Sequence, residues 1–353
     1  MTGADGRITL GFNARIAYQG DDAKRGLRDG IRLFQRAEEL GFQTGWVYQR
    51  HFDHYLSSPL TFLSAVAQHT DRIGLGTAII PIRNEDPLLL AEAAGTADLL
   101  SDERLQLGIG KGAGGFDHLF GDRDTADFRV RATRKLDAFL AGVRGETVGR
   151  VEEEGLPVPE GTELRVTPHS PTLRDRIWYG AGSIETTANT VERGLNLLLG
   201  TIVHAQRTGL RYDQYQRRQA DEYRAGVAAR HPGKTARVAL ARSVLPATDA
   251  GTAAAYERYD LERQRFGPSA SRPRGALEIV PRAAGTLPGV EATPVLRGDP
   301  DEVVARLRAD EAFGASDHLI AFLVPEFDVD RNIRVLEDIA AHVAPALGWV
   351  PAR

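Results

Sequence analysis

The chain has 353 residues, 44 lysines and arginines against 48 aspartates and glutamates, a net charge of −4 and no cysteine. A pI near 6.2 leaves no excess of cation for a nucleic-acid or anionic-membrane surface, and the lack of cysteine removes disulfides, thiolate nucleophiles and cysteine metal sites together. MTGADGR at the start has no apolar leader and no apolar run approaches a bilayer span, so the expectation is a soluble cytoplasmic protein with no nucleic-acid and no membrane partner.

Residues 8–13 alternate as a short strand, and Leu27, Ile31, Phe34, Ala37 and Leu40 then recur at steps of three and four, the face of a helix that Gly41 caps. A second strand over 44–49 ends in Gln-Arg-His-Phe, and a helix over 58–68 follows. Residues 70–115 read as strand, loop, helix, strand and glycine-rich turn. Asp86-Pro87 supplies an N-cap and a first helical residue, and Leu88 to Leu100 is apolar nearly all round, so this helix needs a second cover beyond the sheet. A parallel crossover of this length commits the chain to an α/β architecture.

Further along come a helix over 128–143, a stretch over 145–175 where periodicity is lost, a strand over 177–180, a helix over 184–192 closed by Gly194, and a strand over 196–199. A polar helix over 212–229 leads to a strand over 237–245. Residues 246–296 are broken by Pro and Gly, with a helical patch at 253–266. A capped helix from Asp299-Pro300 to about 313, a strand over 318–324 and a helix over 333–343 complete the chain. Eight strand-helix alternations without a linker predict one (β/α)8 TIM-type barrel domain over 1–353, with insertions at about 145–175 and 246–296.

In such a barrel the chemistry lies just beyond the strand C-termini. Three turns qualify. The first is Gly108 to Gly115, where glycines let the backbone approach an anion and Lys111 supplies a point charge in a chain with only four lysines. Gly180-Ala181-Gly182-Ser183, with Thr186 one turn on, places hydroxyls and a helix N-terminus where phosphate is favoured, although an ordinary serine cap would look the same. The third is Gln49-Arg50-His51-Phe52-Asp53-His54, in which His51 suits general acid-base work and Arg50 suits stabilisation of developing negative charge. His51 and His54 lack further partners at metal-ligand spacing.

The segments AEELGFQTGWVYQRHF, TDRIGLGTAIIPIRNEDPLLLAEAAGTADLLSDERLQLGIGKG, GAGSIETTANTVERGLNLLLG and FGASDHLIAFLVPEF together resemble the bacterial luciferase-like flavin monooxygenases. The resemblance implies a TIM-type barrel, usually dimeric, that uses reduced FMN from a separate flavin reductase and O2 to oxidise a small organic substrate through a flavin hydroperoxide. The loop that reads Glu-His-His-Phe in bacterial luciferase reads Gln49-Arg50-His51-Phe52 here, so Arg50 stands at the first histidine and His51 keeps the second. The family's phosphate contacts fall on Lys111, with Gly112 beside it, and on Ser183 and Thr186 in the Gly180-Ala181-Gly182 turn. Thr77, Ala78 and Ile79 fall under the flavin ring, with a non-proline cis peptide expected at Ala78–Ile79. Trp46, Phe12 and Ile79 are expected to keep the site dry, and the apolar helix ending at Leu100 to form a homodimer contact. A deazaflavin-dependent hydride-transfer enzyme of the same superfamily and a non-catalytic flavin-binding protein are the rival readings.

Overall fold

The computed structural model describes residues 8–112, 117–120, 127–153, 157–205, 208–266 and 291–353. Eight parallel strands form a closed ring in chain order: β1 Thr9–Ala14, β2 Thr44–Val47, β3 Gly74–Pro81, β4 Leu105–Gly110, β5 Ile177–Gly180, β6 Asn196–Leu199, β7 Val238–Pro246 and β8 His318–Phe322. β8 pairs with β1, and β6 pairs with β7, so no barrel edge is open. The expected TIM-type barrel is therefore present.

Helices α1 Ala23–Leu40, α2 Pro59–Ala67, α3 Pro87–Leu100, α4 Phe128–Val143, α5 Ile184–Glu192 and α6 Tyr212–Arg230 follow the first six strands. α7 Ala250–Phe266 and α8 Pro300–Ala309 lie between β7 and β8, and α9 Val329–Asp338 follows β8. Local chemistry sets their ends. Asp86 accepts from the Leu88 and Leu89 N–H groups at the start of α3, and Gly41 closes α1 in the left-handed conformation at φ 89°.

The ring has two apolar faces because helices cover it outside and side chains fill it inside. Outside, Phe12 packs edge-on against Phe34 of α1 with ring centroids 5.0 Å apart. A Cβ on Gly45 would lie 2.7 Å from Phe12 Cζ, so glycine there makes room for this contact. Phe12 thus belongs to the outer core and not to the site, contrary to expectation. Inside, Trp46, Trp178, Leu198, Ala239, Ala241 and Ile320 form the central cluster. The indole of Trp46 crosses Gly76, where a Cβ would lie 2.3 Å from Trp46 Cδ2.

Below Trp46 a polar chain fixes every hydrogen. Thr9 Oγ1 donates to the Asp317 carbonyl at 3.0 Å, so it must accept from His318 Nδ1–H at 2.8 Å. His318 Nε2 then accepts from Thr44 Oγ1 at 2.7 Å, and Thr44 accepts from Trp46 Nε1–H at 2.7 Å. Gly11 leaves the space, since a Cβ there would lie 2.2 Å from Thr44 Oγ1.

The stretch at 145–175 carries a two-stranded antiparallel pair, Gly149–Arg150 with Glu163–Leu164, and a cis Thr167–Pro168 bond. In the stretch at 246–296, Tyr256 and Tyr259 of α7 join the main core, so its first part is barrel wall, and residues 267–290 lie outside the described residues. Among the described residues no helix is long and apolar enough to cross a membrane.

Candidate active site

The floor of the C-terminal face is made by the exit of β3. Between Thr77 and Ile80 the register with β4 shifts, three steps on β3 meeting two on β4. The Ala78–Ile79 peptide within that bulge is cis. Thr77 is buried, with its hydroxyl donating to the Gly108 carbonyl at 2.8 Å and accepting from the Gly108 N–H at 2.9 Å. That hydroxyl is engaged in joining β3 to β4 and is not presented to a ligand. Ala78 and Ile79 pack down on the Trp46–Trp178 cluster. Asn13, at the end of β1, reaches the Ala78 carbonyl through Nδ2 at 3.5 Å, and its buried Oδ1 has no partner.

Ile79 lies across the ends of the next two strands. A Cβ on Gly110 would be 2.2 Å from Ile79 Cδ1, and one on Gly180 would be 3.3 Å from Ile79 Cγ2. The glycines of the two anion-suited turns are thus what allows the isoleucine to lie flat between them. β4 pairs with β5 up to Ile109 and Tyr179, which sets Lys111 and the Gly180–Ser183 turn side by side beyond the floor. Gly112 has φ 78° and sits against Pro81, and Ala113 to Gly115 lie outside the described residues.

Ser183 caps α5, its Oγ accepting from the Thr186 N–H at 3.2 Å and lying 2.5 Å from Thr186 Oγ1. One hydroxyl hydrogen fills that contact and the other is free for an anion. The first helical N–H, of Ile184, is taken by Tyr215 Oη at 3.0 Å. Ala181 is buried through its pairing with Leu198, and a Cβ on Gly182 would lie 2.9 Å from the His204 ring.

The loop after β2 divides its charged residues between two tasks. Arg50 Nε is 2.8 Å from Asp53, whose side chain is fully buried. This pair ties the loop to itself through one edge of the guanidinium. His51 faces the other way. Gln49 Nε2 lies 3.0 Å from the Ser57 carbonyl, 3.0 Å from Glu85 Oε1 and 3.2 Å from His51 Nε2. The Ser57 carbonyl and the Glu85 carboxylate take the two hydrogens of the Gln49 amide, which fixes its orientation beside the His51 ring. Burial holds His51 below the ordinary histidine value, an effect that Glu85, 4.0 Å away, partly offsets. The ring also packs on Phe120 at 4.6 Å between centroids.

Three contributors were not singled out from sequence: Asn13, Glu85 and Glu326. Glu326 follows β8, has a buried Oε1 without a hydrogen-bond partner, and is pushed up to about 7 by burial, with Glu262 adding to the effect. Its place four residues past the end of β8, in Val324-Pro325-Glu326-Phe327, is the signal that could have found it. Among the described residues no cluster of three or more histidines, aspartates or glutamates could hold a metal ion.

The chain is 31% identical over 151 residues to 4-hydroxyprotoasukamycin monooxygenase of Streptomyces nodosus subsp. asukaensis, 42% of this chain and 41% of that protein. It is 30% identical over 126 residues to an F420-dependent glucose-6-phosphate dehydrogenase of Amycolatopsis mediterranei, 34% of this chain and 38% of that protein. The matches span about two fifths of the length of these curated relatives. The solved oxygenating constituent of 3,6-diketocamphane monooxygenase from Pseudomonas putida, in complex with FMN, superposes with a TM-score of 0.67 at 18% identity, covering 96% of this chain and 98% of that one. Residues 8–317 match the family described as luciferase-like monooxygenase, and the chain belongs to that family.

Proposed function

We propose that this protein is an FMN-dependent monooxygenase that uses reduced FMN and O2 to oxidise a small organic substrate. The observation that carries the reading is the flat floor of Ala78 and Ile79 over buried tryptophans, continued by Gly110 and Gly180 into two turns that hold Lys111 and Ser183. That surface is shaped for a planar ring with an anionic tail, and the orphaned Asn13 Oδ1 offers an acceptor to a ring N–H.

Reduced FMN, when bound, supplies the electrons that activate O2. The chain supplies position, dryness and proton control. Lys111 and the Ser183–Thr186 hydroxyls hold the phosphate, while Gly112, Gly180 and Gly182 let the backbone come close. Ala181 and Thr77 keep the adjoining strand ends in place. His51, neutral at rest, accepts a proton on its ring, and Glu85 stabilises the imidazolium that results. Arg50 holds the loop that carries His51. The apolar outer face of α3, where Leu89, Leu99 and Leu100 are 66%, 42% and 54% exposed, forms a homodimer contact. Reduced FMN comes from a separate reductase.

The F420-dependent relative favours a second reading, hydride transfer from a reduced deazaflavin without oxygen. Offering reduced FMN and reduced F420 separately under anaerobic conditions, then admitting O2, decides between them. Micromolar binding of FMN followed by oxygen uptake supports the monooxygenase. Tight binding of F420 alone, with no oxygen consumed, replaces it.

A further inference from the structure

A strongly cationic cavity lies at the opposite end of the barrel, where the loops leading into β5, β6 and β7 meet. It holds about 770 Å3 and is lined by Arg144, Arg174, Arg193, Lys234 and Arg237 against one carboxylate, Asp175. This is a local excess of positive charge in a chain whose net charge is −4. Two of the five are neutralised from behind, Arg193 by Asp137 at 2.8 Å and Arg144 by Glu146 at 3.9 Å. Among the described residues, no carboxylate pairs with Arg174, Lys234 or Arg237.

Of the three, Lys234 and Arg237 are half-buried and Arg174 is exposed. Arg237 donates through Nη2 to the Asp175 carbonyl at 2.5 Å and lies over the Trp178 ring at 5.2 Å, which fixes the guanidinium while leaving other N–H donors unused. Burial holds both Lys234 and Arg237 below their ordinary values. Asp175 offsets part of the charge on Lys234 and Arg237, yet burial still outweighs it for both, and a bound anion relieves them together.

We propose that this cavity binds a small oligophosphate, of the pyrophosphate or nucleoside diphosphate class. One carboxylate ligand would meet only one of the three unpaired cations, whereas adjacent phosphates present several charges and the planar acceptor edges that arginine matches. The volume is that of a small-molecule site, and Leu140, Val143 and Leu195 give an apolar wall for an uncharged portion of the ligand. The proposal is independent of the flavin reading, since the two sites lie at opposite ends of the strands.

Calorimetric titration of the full chain with pyrophosphate, ADP and adenosine tests it. Pyrophosphate and ADP should bind and adenosine should not. Lys234→Ala and the exposed Arg174→Ala should each weaken pyrophosphate about tenfold, as loss of one charge-assisted hydrogen bond implies. Thermal unfolding without ligand shows whether either variant is folded, and binding of FMN should be the same in both. Lys111→Ala should leave pyrophosphate binding intact. No binding at millimolar pyrophosphate, or binding that is lost in Lys111→Ala and kept in Lys234→Ala, overturns the proposal.

Discussion

His318 shows how one residue can set the acid limit of the whole barrel. Its ring is sealed between Thr9 and Thr44, and burial pushes it down to about 3. The folded state therefore keeps the ring neutral while the unfolded chain takes up a proton below its ordinary value. Stability from this group is complete above about pH 6.5 and is lost as pH falls, by about 1.4 kcal/mol per unit. Urea unfolding at pH 6.5, 5.5 and 4.5 should show that slope, and His318→Gln should flatten it; equal slopes in both proteins would remove the assignment. At the cofactor end, Lys111→Ala should weaken FMN by one to two factors of ten, roughly the 1.5–3 kcal/mol of a charge-assisted bond, and leave riboflavin unaffected. Equal losses for the two ligands would detach Lys111 from the phosphate. Glu85→Gln should lower the His51 value further, because the Glu85 charge is what raises it. The acid limb of the kcat/KM profile then moves to lower pH, and an unmoved limb would exclude His51 as the base. Much of this was legible in the sequence, but not the partners. The Gly-Lys-Gly and Gly-Ser turns declare themselves by composition. The Arg50–Asp53 pair and the Gln49 amide depend on how a loop folds back, which no periodicity encodes.

At the scale of the elements, the glycines around Ile79 separate two kinds of crowding. At Gly110 an added methyl meets the tip of a rotatable side chain, whereas at Gly108 it meets the Thr77 carbonyl at 2.0 Å. Gly110→Ala should therefore cost only about 1 kcal/mol in stability while tilting the floor and weakening FMN about tenfold. Adding Ile79→Val removes Cδ1, the atom in the way, and should restore the affinity. Gly108→Ala should destabilise by about 3 kcal/mol or more, because neither strand can yield. Denaturant midpoints and FMN titrations of the four proteins check this, and no rescue by Ile79→Val would separate Ile79 from the floor. Strands and helices were readable within a few residues because their ends are local: Asp86-Pro87 starts α3, Gly41 ends α1 and Ser183 caps α5. Facing was not. A barrel strand is buried on both sides, so alternation could not tell that Phe12 points to the helices while Trp46 points to the centre.

For the whole molecule, α3 is the part of the wall with most apolar surface left over. Leu89→Glu with Leu100→Glu should give a folded monomer, since both side chains are largely exposed in the single chain. Light scattering at micromolar concentration checks it, and a monomeric parent protein would end the dimer proposal. The two ends of the barrel were unequally visible from sequence. The C-terminal face advertises itself in contiguous turns, but the cationic cavity is assembled from Arg144, Arg174, Arg193, Lys234 and Arg237, which meet only when three loops close together. The burial of the indoles has an optical outcome as well. Of three tryptophans, Trp46 and Trp178 lie 5.8 Å apart directly beneath Ala78 and Ile79, while Trp349 sits at the far end against Phe42. Indole emission overlaps flavin absorption, so a flavin on that floor drains the light of two emitters and spares the third. The barrel carries its own fluorescent gauge of whether the site is filled.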